Sequence, residues 1–193
     1  MRRRSGLNFI RQRRRFNMPL FKEVLSWIFD LTVVIAIAFL LVIAFGQRTS
    51  VVGQAMADSL KNKDQVLVNR LVYWVTSPKA GDVIVFLPNG NEKSHYYVRR
   101  VIGCPGDTVE IKDGAVFVND EPYTEKGNVA SMDEAGLASE PIQLQEGEYF
   151  VLGDNRNGSE DSRLANIGNV KKEYILGKAW LHFGGPSGFG RVK

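Results

Sequence analysis

The run Val24–Phe45 constrains this chain more than any other feature. Its 22 residues carry one charge, Asp30, and none from Leu31 to Phe45. About 20 apolar residues suffice to cross the hydrocarbon core of a bilayer, so the run predicts one membrane-spanning helix. A cleaved secretory leader has a shorter apolar core, about 7–15 residues, closed by a small-residue cleavage site, and "FGQRTSVVG" fits that poorly. The plainer alternative is the core helix of a soluble domain. Before residue 24, eight basic residues (Arg2, Arg3, Arg4, Arg11, Arg13, Arg14, Arg15, Lys22) oppose only Glu23. Basic residues collect on the cytoplasmic side of a span, which places the N-terminus inside and the chain after residue 46 outside. The expected organisation is a basic cytoplasmic tail (1–23), a transmembrane helix (24–45) and an extracytoplasmic domain (46–193). It is a single-pass protein of the cytoplasmic membrane, with membrane lipid as one partner.

Charge outside the tail has the opposite balance. From Gln47 onward 17 Lys or Arg stand against 19 Asp or Glu, a net −2, although the whole chain is +4. A folded domain without a basic surplus argues against nucleic acid as a partner. Cys104 is the single cysteine, so no intrachain disulfide is available even in an oxidising compartment. Its place in "VIGCPGD", an apolar run before a Pro-Gly turn, is that of a small buried hydrophobe. No cluster of metal ligands and no glycine-rich phosphate loop stands out, so neither a metal nor a cofactor is expected.

Beyond the span the periodicity is that of strands. "SVVGQAM", "DQVLVNRLVYWV", "GDVIVFL", "HYYVRRVIG" and "EGEYFVLGD" alternate or run apolar with β-branched and aromatic residues. "TVEI" and "GAVFVND" read as a hairpin turning through Lys112-Asp113-Gly114. Gly81-Asp82, Pro105-Gly106-Asp107 and Gly153-Asp154 punctuate the series. The expected fold is mainly β, an antiparallel domain tethered by one N-terminal transmembrane helix. Residues 121–146 are more polar and lack long β runs, and are expected as a looser region inserted between two strands.

Three patches carry the functional signal: "GQAMADSL" (53–60), the pair "GDVIVFLPNG" and "YYVRRVIGCPGDTVEIKDGAVFVND" (81–120), and "GDNRNGSEDSR" (153–163). The third is unusually polar for a segment that follows an apolar strand. A bidentate pair of Arg163 with Asp161 or Asp154 would order it. Together the patches resemble the type I bacterial signal peptidases of the Gram-positive kind, and the resemblance covers the whole chain. The pattern G-D-N-R-x-x-S-x-D-S-R is met at every fixed position by Gly153, Asp154, Asn155, Arg156, Ser159, Asp161, Ser162 and Arg163. The resemblance implies the signal peptidase-like β-domain, and endoproteolysis of exported preproteins after a small-x-small motif by a serine and lysine dyad. In that chemistry the hydroxyl attacks the scissile carbonyl, and a buried lysine amine of depressed pKa takes its proton.

Both dyad positions depart from the pattern. The nucleophile position, before Met56, is Ala55, and the general-base position, before Arg100, is Arg99. A methyl group cannot attack a carbonyl, and a guanidinium stays protonated, so neither step is open to this chain. An active serine endopeptidase would need a different nucleophile. Ser59 lies at the family's threonine position, while Lys61, Lys63, His95 and His182 have no motif placing them near it. By the same resemblance Gly53 and the backbone N–H of position 55 build the oxyanion hole. Met56 lines the pocket for small residues, Ser159 supports the base, and Asp161 pairs with Arg163. Three readings fit these residues. The chain is a natural non-catalytic homologue binding the signal peptides of exported preproteins or pilins, as a pilus-assembly accessory for example. Or it is a signal peptidase silenced on purpose. Or it is a plain tethered β-domain.

Overall fold

The computed structural model describes residues 18–45, 47–124 and 129–192, so most of the arginine-rich tail lies outside the described residues. Helix α1 spans Met18–Phe45, and the stretch Met18–Ile43 is long and apolar enough to cross a membrane, with its side chains exposed along the whole length. At 1.5 Å per residue its 28 residues extend about 42 Å. The helix begins six residues before the expected span. Pro19 sits in its first turn, where a missing N–H costs nothing. The chain to Leu40 and the chain from Leu41 onward form two separate compact units.

The regular structure of the second unit is mainly antiparallel strands joined by loops and short helical turns. In chain order these are β1 (Arg48–Ser50), β2 (Gln65–Asn69), β3 (Val83–Phe86), β4 (Tyr97–Gly103), β5 (Thr108–Lys112) and β6 (Ala115–Val118). They continue as β7 (Glu121–Pro122), β8 (Ile142–Gln143), β9 (Glu148–Leu152), β10 (Val170–Lys171), β11 (Ile175–Gly185) and β12 (Gly188–Arg191). The larger sheet runs β1-β2-β11-β3-β4-β9-β10, with β12 also on β11; the smaller runs β7-β6-β5-β8. Strand β3, Val-Ile-Val-Phe, is buried at every residue, as a strand covered on both faces must be. The β5–β6 hairpin turns on Asp113 and Gly114 (φ 50° and 74°), the left-handed pair of a tight two-residue loop, with Lys112 already paired to Ala115.

Two expected strands end early. β1 stops at Ser50, because Gly53 turns at φ 86° and residues 54–60 coil through bonds from Ala57 N–H to Gln54 O and from Leu60 N–H to Met56 O. What β propensity offered there is outweighed by burial. Met56 and Leu60 pack on Val66, Val68, Val83 and Val98, and each such side chain contributes about 1.5–3 kcal/mol. β2 stops at Asn69, whose side-chain oxygen accepts the Val72 N–H and starts the short helix α2 (Val72–Val75). Within 121–146 the described residues carry β7, a 3-10 turn at Gly136–Ser139 and β8. Met132, Ala138 and Leu144 reach a core shared with Ile102, Val109 and Phe150. Residues 125–128 lie outside the description.

Candidate functional site

The first patch is a loop held by its neighbours rather than by a strand. Gly53 N–H reaches the side chain of Asn62 at 3.3 Å. Asn155 straps the loop from the third patch: its backbone N–H donates to Ala55 O at 3.0 Å and its amide to Gln54 O at 3.1 Å. Beside this strap the two patches touch so closely that a Cβ at Gly153 would collide with Ser159 and with the Ala55 carbonyl. Only glycine fits there.

Strand β4 presents two consecutive arginines to opposite faces, as side chains alternate along a strand. Arg100 makes a bidentate pair with Asp154, Nε to Oδ1 and Nη2 to Oδ2, both at 2.7 Å. Ser59 completes that group by donating to Asp154 Oδ2 at 2.5 Å, with Arg100 Nη2 donating to its oxygen at 3.2 Å. Arg99 faces the other way and is only 6% exposed. Its Nε donates to Glu160 O and its Nη1 to Val98 O, each at 2.7 Å, and the guanidinium lies 4.9 Å over the Tyr97 ring. Burial pushes the Arg99 pKa below its ordinary value, against the attraction of Asp161, Tyr97 and Glu160. Burial and the bond to Glu160 push Tyr97 upward.

The third patch folds around Asp161, which is fully buried. Its carboxylate accepts from Gly153 N–H at 3.1 Å, Ser159 Oγ at 2.6 Å, and Arg163 Nε and Nη2 at 2.9 Å each. Arg163 also donates to Glu134 O and Arg156 O. Of the two partners considered for Arg163, the structure selects Asp161; Asp154 belongs to Arg100.

Gly53, Ala55, Met56 and Arg99 line one cleft of about 250 Å³, with Tyr97 and Glu160 among its other walls. Residues 44 positions apart in the sequence thus meet at one place. Ser159 does not line that cleft but sits behind its wall, close to the Ala55 carbonyl. Its hydroxyl is committed to Asp161, and its side of the loop lines a neighbouring cavity of about 270 Å³ with Arg156 and Arg163. Asp161 and Arg163 form the network behind. Ser59 lies on the far face of β4 with Asp154. His95, which no motif had placed, also lines the cleft and stacks on Tyr97 at 5.0 Å between ring centres. Alternation in steps of two from Arg99 would have found Tyr97, while His95 lies just before β4 where that pattern does not reach. Among the described residues no group of His, Cys, Asp and Glu is arranged to hold a metal ion.

Comparison with known proteins gives a consistent likeness. The sequence model of a family described as signal peptidase, peptidase S26, matches residues 24–183. Signal peptidase I P of Bacillus subtilis subsp. natto is 34% identical over 168 residues, covering 83% of this chain and 89% of that protein. Signal peptidase IB of Staphylococcus aureus (strain COL) is 35% identical over 177 residues, covering 84% and 90%. A crystal structure of a signal peptidase I from Enterococcus faecalis V583 is 30% identical, covers 54% of this chain and 97% of that one, and has a TM-score of 0.43.

Proposed function

Since this chain belongs to the signal peptidase family, peptidase S26, we propose that it recognises signal peptides of exported preproteins at the outer face of the cytoplasmic membrane without cleaving them. One observation carries the reading: Ala55 and Arg99 face the same cleft, where the family's pattern calls for the serine and the lysine. The Ala55 methyl holds no lone pair or proton with which to attack. The Arg99 guanidinium, fixed on two carbonyl oxygens, is a donor only and takes no proton from anything.

The other hydroxyls offer no substitute. Ser59 gives its proton to Asp154 and receives one from Arg100, so it is spent in a charge-paired cluster on the other face of β4. Ser159 is spent on Asp161. What remains is a binding cleft between the loop 51–56 and residues 95–99, open to a peptide that needs no dyad to bind. Pilin precursors are one class of exported ligand that such a chain would serve as an assembly accessory.

The test is processing of a preprotein bearing Ala at the −3 and −1 positions, followed on gels in detergent with phospholipid. The unaltered chain leaves the preprotein whole. Cleavage by it, abolished by Ser59→Ala, would reverse the reading and identify another nucleophile.

A further inference from the structure

The exchange of an amine for a guanidinium does more to this cleft than silence it. Arg99 is a buried cation with two of its three nitrogens fixed, Nε and Nη1, on carbonyl oxygens. Its third nitrogen, Nη2, has no acceptor among the described residues. No carboxylate there forms an ion pair with it either, although each charged neighbour is matched. Asp154 is taken by Arg100, and Asp161 by Arg163, Ser159 and Gly153 N–H. The Glu160 carboxylate is exposed and accepts the Tyr97 hydroxyl at 2.8 Å, giving Arg99 only its main-chain carbonyl. Nη2 is thus left for a ligand in the cleft, and the strongest acceptor for a guanidinium N–H is an anionic oxygen such as a carboxylate's. Ala55 lines the same cleft with a methyl in place of a hydroxyl, and its backbone N–H makes no hydrogen bond among the described residues.

We propose that this cleft is a receptor for the C-terminal carboxylate of a peptide ending in a small residue, the chemistry of a released signal peptide rather than of an intact preprotein. The terminal carboxylate sits between Arg99 and the Ala55 N–H. Met56 lines the cleft, and the family's pattern gives it the pocket for a small last side chain. An intact scissile amide is neutral and leaves Arg99 unmatched, so the acid and the uncleaved chain are told apart by charge. The inference rests on the preceding reading only in that signal-peptide ends enter this cleft.

The experiment uses the full chain in detergent micelles with phospholipid, and fluorescence anisotropy of N-terminally labelled peptides. All end in Ala-Gln-Ala and omit the apolar core, so that micelles alone do not hold them. One is a free acid, one a C-terminal amide, and one continues past the final Ala by six residues. The free acid should bind about tenfold or more tighter than the other two, the range of a charge-assisted hydrogen-bonded pair. Arg99→Gln should bring the acid-to-amide affinity ratio to about one, whatever it does to the two affinities, and Arg99→Lys should keep part of the preference. The acid-to-amide ratio on the unaltered chain needs no variant, so misfolding of Arg99→Gln leaves the test intact. Equal binding of all three peptides, or tighter binding of the extended one, overturns the carboxylate receptor and spares the wider reading. Binding of none overturns both.

Discussion

At Ala55 and Arg99 the consequences of two side chains can be separated by putting the expected ones back. With Ala55→Ser alone the new hydroxyl faces a permanent cation, and with Arg99→Lys alone an amine has no nucleophile to serve. Residues that act as a unit recover as a unit, so only the double change should cleave, with both singles at background in the gel assay. Behind them Arg163 can be tested by stability. The Arg163 and Asp161 side chains are 8% and 0% exposed, so Arg163→Ala strands a buried carboxylate and should cost about 3 kcal/mol in thermal unfolding. A loss well under about 1 kcal/mol would mean that the loop is merely solvated. The choice of Asp161 over Asp154 could not be read from the sequence, because both lie within reach of Arg163 along the chain. It is settled by β4, whose alternation turns Arg100 toward Asp154 and so occupies that carboxylate.

Among elements, those dense in β-branched and aromatic residues and closed by a turn residue were legible: β3, β4, the β5–β6 hairpin and β9. The loop 51–60 was not, since its β-branched start gives no sign that Gly53 will turn and Met56 will dive inward. Strand β11 was hidden by its glycines, although Gly177 is required there because a Cβ would strike the Asn69 carbonyl. The turn after β11 is tied back to the loop before β2 through Asp64, which accepts the N–H of Ser187 at 3.2 Å and of Lys61 at 2.8 Å. Burial raises the Asp64 pKa, but the bonds from Ser187 and Lys61, with His182 nearby, outweigh it and hold the carboxyl below its ordinary value. A depressed folded value gives stability that is present above the unfolded pKa of about 3.9 and is lost as pH falls through the folded one. Urea midpoints should therefore fall on acidification below about pH 4, and the fall should be shallower in Asp64→Asn. Parallel slopes would mean that this tie carries no charge.

For the whole molecule the single apolar helix and the basic tail before it set the expected topology. Lys93→Cys, at an exposed position, should react with a membrane-impermeant maleimide in intact cells. Reaction only after lysis would invert the orientation. Cys104 is a weak background, since its thiol is half-buried and burial pushes its pKa up. The two walls of the cleft differ in how they are built, and this decides how a ligand enters. Arg99 hangs from β4, which is bonded to β3 on one side and β9 on the other. Backbone amides in such a strand exchange with solvent only when the domain opens as a whole. Residues 53–57 hold their place through turn bonds, the Asn155 strap and the buried Met56 side chain, without a ladder of strand hydrogen bonds. Deuterium uptake should accordingly be slow along β4 with or without peptide, while the amides of 53–57, which no strand ladder protects, become protected as the cleft fills.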